Sequence, residues 1–276
     1  MKLANNIQQT YELKKAIENG ELKPWFQPII SAKSGHLIGC EILVRWEHPD
    51  RGLITPDKFI SLAESTGLIY LLTEYLFSSV TNTLRHHNMK MPDNFHIAFN
   101  ISPINFSHNG FGVEYLNLLD TITIQNMKLV LELTEHTEFS SQLKHIVFYK
   151  NLRGKHVSLA LDDFGTGYSG LKMIQSMPFD FIKIDKHFVH ELKKDSISEH
   201  IIDNILDLSQ RIKTTVVAEG IESKSQELTM INKGVDYLQG FLYSPPIPEK
   251  NFISEWVNRK FIDHRTSLKF NDVIKS

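Results

Sequence analysis

The feature that most constrains this chain is a rhythm. From residue 95 on, short apolar runs alternate with helix-like segments. The runs FHIAFNIS (95–102), KLVLELTE (128–135), VSLALDDF (157–164), FDFIKID (179–185), TTVVAEGIE (214–222) and VDYLQGFLYSPP (235–246) read as strands. Helices are predicted over 138–154, 169–176, 197–212, 223–232 and 249–261. Strands alternating with helices build βαβ units and a parallel sheet. Ahead of them come a helix over 5–20, stopped at Gly20, and a hairpin over 25–48 turning at SAKSGH. Two more helices follow, one over 56–66 with Pro56 at its start and Gly67 as its stop, one over 69–86. The 276 residues suit one α/β barrel of the TIM (β/α)8 type, predicted as a single domain over 1–261 with a polar tail, 262–276. A doubly wound open sheet is the structural alternative. It would carry a phosphate loop or a glycine fingerprint after its first strand, and neither is present.

Composition narrows the chemistry. The net charge is −2, which gives no basic face for nucleic acid, so an anionic ligand has to be handled at a local site. Cys40 is the only cysteine, which excludes an internal disulfide and argues against thiolate metal sites. The polar N-terminus is no signal peptide, and the most apolar stretch, LIYLLTEYLFSSV (68–80), is interrupted by Glu74 and reads as a buried helix. No membrane contact is expected from this chain, and the cytoplasm is its expected setting.

The polar residues then fall in one pattern. FHIAF ends in Asn100, LVL runs into Glu132 and Glu135, and VSLAL ends in Asp162 and Asp163. FIKID carries Lys183 and Asp185, VVA ends in Glu219 with Glu222 three on, and DYL ends in Gln239. Glu41 is read as the start of the hairpin's second strand. In a barrel all these strand ends converge on one face, where active sites sit. Singly, each has an ordinary explanation as a helix N-cap. Together they gather at least four carboxylates around one lysine, an arrangement that repulsion forbids without cations. Oxygen donors with no His or Cys suit Mg²⁺ or Mn²⁺, with Ca²⁺ as a competitor. Adjacent Asp162 and Asp163 suggest two ions sharing ligands, a device for phosphate-ester hydrolysis.

The same residues resemble a known family. FQPI (26–29), EILVRW (41–46), FNIS (99–102), ELTE (132–135), DDFGTGYSG (162–170), IKID (182–185), AEGIE (218–222) and QGF (239–241) match, in order, the EAL-domain phosphodiesterases, which hydrolyse cyclic di-GMP to linear pGpG. The resemblance implies a barrel with one antiparallel strand near its start. It implies Glu41, Asn100, Glu132 and Asp162 as ligands of a first ion, and Asp162, Asp163 and Glu219 of a second. Lys183 would orient the attacking water, Asp163 accept its proton, and Glu135 hold the loop 164–170, with Glu222 assisting on the same face. Arg45 would meet a substrate phosphate, and Gln27, Leu43, Asp185 and Gln239 would line the substrate cleft. The implied cofactors are two Mg²⁺ or Mn²⁺ ions, with Ca²⁺ inhibitory. The implied assembly is a homodimer, and the implied role is to lower the second messenger in biofilm and motility signalling. Many relatives attach a sensory or membrane domain. The chain is therefore read either as a stand-alone enzyme or as the catalytic part of a larger protein.

Two positions depart from the family pattern. Ile42 stands in place of alanine, and points away from Glu41 in an extended strand. Gly170 replaces a usual serine, which is expected to loosen the loop or weaken the next helix start. No ligand position is lost, which disfavours the alternative of a catalytically weak cyclic di-GMP receptor or protein-interaction module. The cluster KHFVHELKK (186–194) is read as a solvated helix face, His86 and His87 as a helix end, and Met127, Met173 and Met177 as packing.

Overall fold

The computed structural model describes residues 2–86, 91, 92, 94–106, 113–135, 156–167, 169–192 and 196–258. The predicted helix 138–154, His87 and the tail 262–276 lie outside them. Helix α1 (Lys2–Glu18) leads through Gly20, at φ +70°, into β1 (Leu22–Ser31) and β2 (Leu37–His48). After β3 (Gly52–Ile54) come α2 (Ile60–Thr66), capped by Gly67 in the left-handed region, and α3 (Leu68–His86). The barrel part continues with β4 (His96–Asn100), α4 (Val113–Ile124), β5 (Lys128–Thr134), β6 (Val157–Phe164), α5 (Gly170–Ser176) and β7 (Phe181–Ile184). It ends with α6 (Lys186–Glu191), α7 (Ser196–Ile212), β8 (Thr215–Ala218), α8 (Lys224–Lys233), β9 (Tyr237–Leu238), β10 (Ile247–Pro248) and α9 (Glu249–Phe252).

Strands β2, β4, β5, β6, β7, β8 and β9 pair in parallel, one after the next. β1 runs antiparallel to β2 on one side and to β9 on the other, closing an eight-stranded barrel. The strands are buried on both faces, as parallel strands under a helical coat must be. Outward residues such as Ile97, Leu131, Leu161 and Ile182 join the core beneath the helices. A separate inner layer consists of Ile29, Ala98, Val130, Ala160, Phe181 and Val217.

Several elements differ from their sequence reading. Glu41 lies in the middle of β2, whose N-terminal half is needed to pair Gly39 and Cys40 with β4. Helix α4 was not predicted. Its tail TITI favours strand, but Tyr115, Leu118 and Ile122 fall at helical spacing and are buried, and packing overrides propensity. Of the strand read over 235–246, only the two residues of β9 pair, because Gly240 to Leu242 coil around Ile221. Ile221 N–H donates to the Gln239 carbonyl, and Leu242 N–H donates to the Ile221 carbonyl. The closing helix passes from α9 into a π turn over Ile253–Val257. Helix α3 is buried on one face only, with Leu71 exposed. Helix α6 is not merely a solvated face, since Phe188 and Val189 are buried. The three methionines do pack, each within 3 % of full burial. Among the described residues no helix is long and apolar enough to cross a membrane.

Candidate active site

Strand geometry builds the site from the inner apolar layer. Side chains two residues apart on a strand share a face. Two steps beyond Ala98, Val130, Ala160, Phe181 and Val217 stand Asn100, Glu132, Asp162, Lys183 and Glu219. Tyr237 packs on the same layer, and two steps beyond it stands Gln239. In β1, which runs the other way, the step is backward, from Ile29 to Gln27. In β2 the lower place belongs to Gly39, where a Cβ would meet the His96 carbonyl oxygen at 2.7 Å, and the upper place belongs to Glu41. Every strand of the barrel thus sets one polar side chain on a shared ring at the mouth.

Lys183 is at the centre of that ring. Its Nζ lies 2.6 Å from Glu219 Oε1, 2.7 Å from Glu132 Oε2, and 3.3 Å from both Glu41 Oε2 and Asp162 Oδ1. Asn100 Nδ2 donates to Glu41 Oε1 at 2.6 Å. Gln239 Nε2 donates to Glu41 Oε2 at 2.7 Å and to Gln27 Oε1 at 3.1 Å, and Gln27 Nε2 donates to the Ser244 carbonyl at 3.2 Å. Below the ring, a cavity of about 20 Å³ lined by His96, Phe181 and Tyr237 has room for one water. Burial pushes the His96 pKa down to about 4, so that ring is neutral.

One ammonium cannot neutralise this many carboxylates. Burial, then the Glu41 charge, holds Glu132 well above the usual carboxylate range, and burial also raises Asp162. Burial pushes Glu219 up to about 8, with Asp162 and Glu41 adding to the rise against the pull of Lys183. Asp163 is pushed up to about 6 by burial, Asp162 and Asp185. Glu41 alone is lowered: burial acts against it, but Lys183, Gln239 and Asn100 outweigh burial. Burial likewise opposes the charge of Lys183, and its four acidic neighbours hold it protonated.

Asp163 reaches the mouth by an irregularity. Neighbouring strand residues face opposite sides, but β6 slips register against β7 between Leu161 and Phe164, and Asp163 sits at φ +54°. Carboxylate oxygens of Asp162, Asp163 and Glu219 consequently lie within 4.8 Å of one another, a grouping able to hold a cation. Such oxygen donors suit a hard divalent cation, and the carboxylates of the ring outnumber its one ammonium. The Gln239 Oε1 is buried without a hydrogen-bond partner and faces the same ring through its amide.

The loop after β6 hangs on Glu135. Its Oε2 accepts from Gly165 N–H at 2.8 Å and Gly167 N–H at 3.0 Å, and its Oε1 accepts from Gly170 N–H at 2.7 Å. Gly165 is at φ +96°. A Cβ at Gly170 would fall 2.6 Å from the Phe164 ring and 2.8 Å from Glu135 Oε1. The expected loosening at Gly170 is therefore not seen here, since this glycine allows the tight approach. Asp185 caps α6 through His187 N–H at 2.8 Å. Arg45 stands on the rim, its guanidinium 5.9 Å from the Trp25 ring and bonded to the Val44 carbonyl. Leu43 and Asn100 border a cleft of about 820 Å³ that opens beside the mouth. Glu222 is not in the ring: it lies on the surface, 3.5 Å from His190 Nε2. Sequence reading passed over the Ser244 carbonyl, which as backbone leaves no residue-type signal, and over His190, hidden in a basic cluster.

A family model, "EAL domain", matches residues 10–246. The chain is 48% identical to "Cyclic di-GMP phosphodiesterase PdeL" of Escherichia coli (strain K12) over 242 residues, covering 88% of this chain and 67% of that protein. It is 38% identical to "Probable cyclic di-GMP phosphodiesterase PdeG" of the same strain, covering 85% of this chain but 46% of that protein, so it spans less than half of that relative. Among solved structures, "PaMucR Phosphodiesterase, c-di-GMP complex" superposes with a TM-score of 0.76 at 33% identity, covering 89% of this chain and 99% of that one.

Proposed function

From the premise that the chain belongs to the EAL-domain family, we propose that it is an enzyme that hydrolyses cyclic di-GMP to linear pGpG with two divalent ions at the barrel mouth. The observation that carries this reading is the ring itself: Glu41, Glu132, Asp162 and Glu219 around the single ammonium of Lys183, with Asp163 beside them. Glu41, Asn100, Glu132 and Asp162 would hold one ion, and Asp162, Asp163 and Glu219 the other. Two Mg²⁺ or Mn²⁺ ions held there would supply Lewis acidity and would lower the pKa of a bound water toward neutrality. Ca²⁺, which takes more ligands at longer distances, is an inhibitor in this reading.

The chain's own residues do the rest. Lys183 donates to the attacking water and fixes its orientation. Asp163, beside the ring carboxylates, takes the proton of that water. Arg45 binds a phosphate oxygen, while Gln27, Leu43, Asp185 and Gln239 shape the cleft for the dinucleotide. In-line attack forms a bond from the water oxygen to phosphorus as the bond to the 3′ oxygen breaks; the 3′ oxygen takes up a proton from solvent, and the ring opens to pGpG. Glu135 keeps the loop bearing Gly165 and Gly170 against the site. The reading includes a single domain over 1–261, a homodimer, and action in the cytoplasm on the second messenger of biofilm and motility signalling.

The test is to incubate the purified protein with cyclic di-GMP and Mg²⁺ and separate the nucleotides. The expected product is pGpG, lost in Glu41→Ala. Tight binding of cyclic di-GMP without product would replace this reading with a receptor.

A further inference from the structure

The loop that presents Glu219 leaves the barrel at the end of β8 and at once meets α6. Gly220, next to Glu219, is at φ +66°, and a Cβ there would fall 2.4 Å from the Cβ of Lys186. The backbone therefore lies directly on the first turn of α6. One turn further along the helix, His190 reaches back to it, with Nε2 3.1 Å from the Gly220 carbonyl oxygen. A carbonyl only accepts, so Nε2 carries the proton and donates. The same nitrogen stands 3.5 Å from the Glu222 carboxylate. On the other side of Glu219 its own N–H donates to the Ile184 carbonyl at 3.2 Å, and Ile184 ends β7, the strand that carries Lys183. Glu219 is thus gripped before and after, and one of the grips is a side chain.

We propose that His190 is a positioning residue for Glu219, acting through the Gly220 carbonyl, and that it sets the geometry of the ion site shared by Asp162, Asp163 and Glu219. This rests on the metal-site reading above. Glu219 is the most exposed of the four carboxylates around Lys183, with 18% of its side chain exposed against 2% for Glu132, so its placement depends most on how its loop is held. Residues that orient a ligand typically change metal affinity about 10–100-fold when removed. The link to Gly220 is a hydrogen bond to backbone and not to the carboxylate, so an effect at the low end, about tenfold, is expected.

Titration of MnCl₂ and MgCl₂ into the purified protein by calorimetry reads this directly. His190→Leu keeps an apolar side chain on α6 but has no donor. It should weaken ion binding about tenfold while leaving the metal-free melting temperature unchanged. His190→Gln places an amide N–H where Nε2 stands and should recover most of the loss. Native affinity in His190→Leu would overturn the proposal. So would equal losses in both variants accompanied by equal falls in melting temperature, which would make His190 a packing residue only. Hydrolysis of cyclic di-GMP by the native protein is measured on the same preparation. Ion binding with no turnover would overturn the phosphodiesterase reading while the ion affinities still decide the role of His190.

Discussion

The backbone N–H of Asp163 donates to Asp162 Oδ1 at 3.0 Å, and the two carboxylates turn toward one mouth although they are neighbours in a strand. The left-handed backbone at Asp163, φ +54°, is what reverses the second side chain. Asn and Asp tolerate this region, whereas a β-branched residue does not. Asp163→Asn should fold and, at pH 8 without metal, be at least as stable as the native chain, since it removes a charge that its neighbours repel. Asp163→Val should be less stable than Asp163→Asn by about 1–2 kcal/mol. Urea denaturation of both variants checks this, and both should lose turnover.

Lys183 is the only charge of its sign within the ring, and it is buried with Glu41, Glu132 and Asp162, while Glu219 is partly exposed. Removing one side of a buried ion cluster typically costs about 3–5 kcal/mol. Lys183→Met should therefore destabilise the metal-free protein at pH 8. The loss should shrink at pH 6, where the raised carboxyls take up protons, and shrink again with added Mg²⁺. Melting curves at the two pH values, with and without Mg²⁺, measure it. A loss independent of both pH and Mg²⁺ would mean that Lys183 merely fills space.

Asp163 titrates near about 6 and Glu219 near about 8 in the fold. Both ionise near about 4 in an unfolded chain. A carboxyl raised by folding contributes its full stability below the unfolded value and loses it as pH climbs through the folded value. The metal-free protein should thus lose stability from about pH 4 to pH 8, most steeply between about 4 and 6, where both carboxyls stay protonated in the fold but ionise in the unfolded chain. Glu41, held low, and Lys183, held high, titrate outside that window. Ion binding needs the ionised forms, so affinity should rise over the same range with release of protons. Calorimetry in buffers of different ionisation enthalpy counts those protons, and a flat profile would contradict the shifts.

Glu135 accepts three backbone N–H groups from the loop after β6, and it is buried. Hydrogen bonds to a charged group are worth about 1.5–3 kcal/mol each. Glu135→Ala leaves these donors without their partner and should lower ion affinity and turnover at least about tenfold, although Glu135 is none of the proposed ligands. Glu135→Gln, whose single amide oxygen can accept at one of the two positions while its NH2 faces the donor at the other, should fall between. Full activity in Glu135→Ala would mean the loop has no part in the chemistry.

Much of this protein is written in residue type and spacing. Short apolar runs mark the strands, and the polar residues at their ends name Asn100, Glu132 and Asp162 as members of the ring. Those contacts are local to each strand, so each strand announces its own ring member. What no strand can announce is its neighbour. That Glu41, in mid-strand, meets Asn100, Lys183 and Gln239 follows only from closure of the barrel, where β1 runs against β2 and β9. The slip of β6 against β7 that turns Asp163 inward, and the coil of residues 240–242 around Ile221 that shortens β9, are likewise set by partners far along the chain. Helix α4 shows the same limit, since its buried face overrides a strand-like tail only once a barrel is there to bury it. Period and residue type are properties of a segment, whereas charge coupling around Lys183 is a property of distance in space, and only the closed fold fixes that distance.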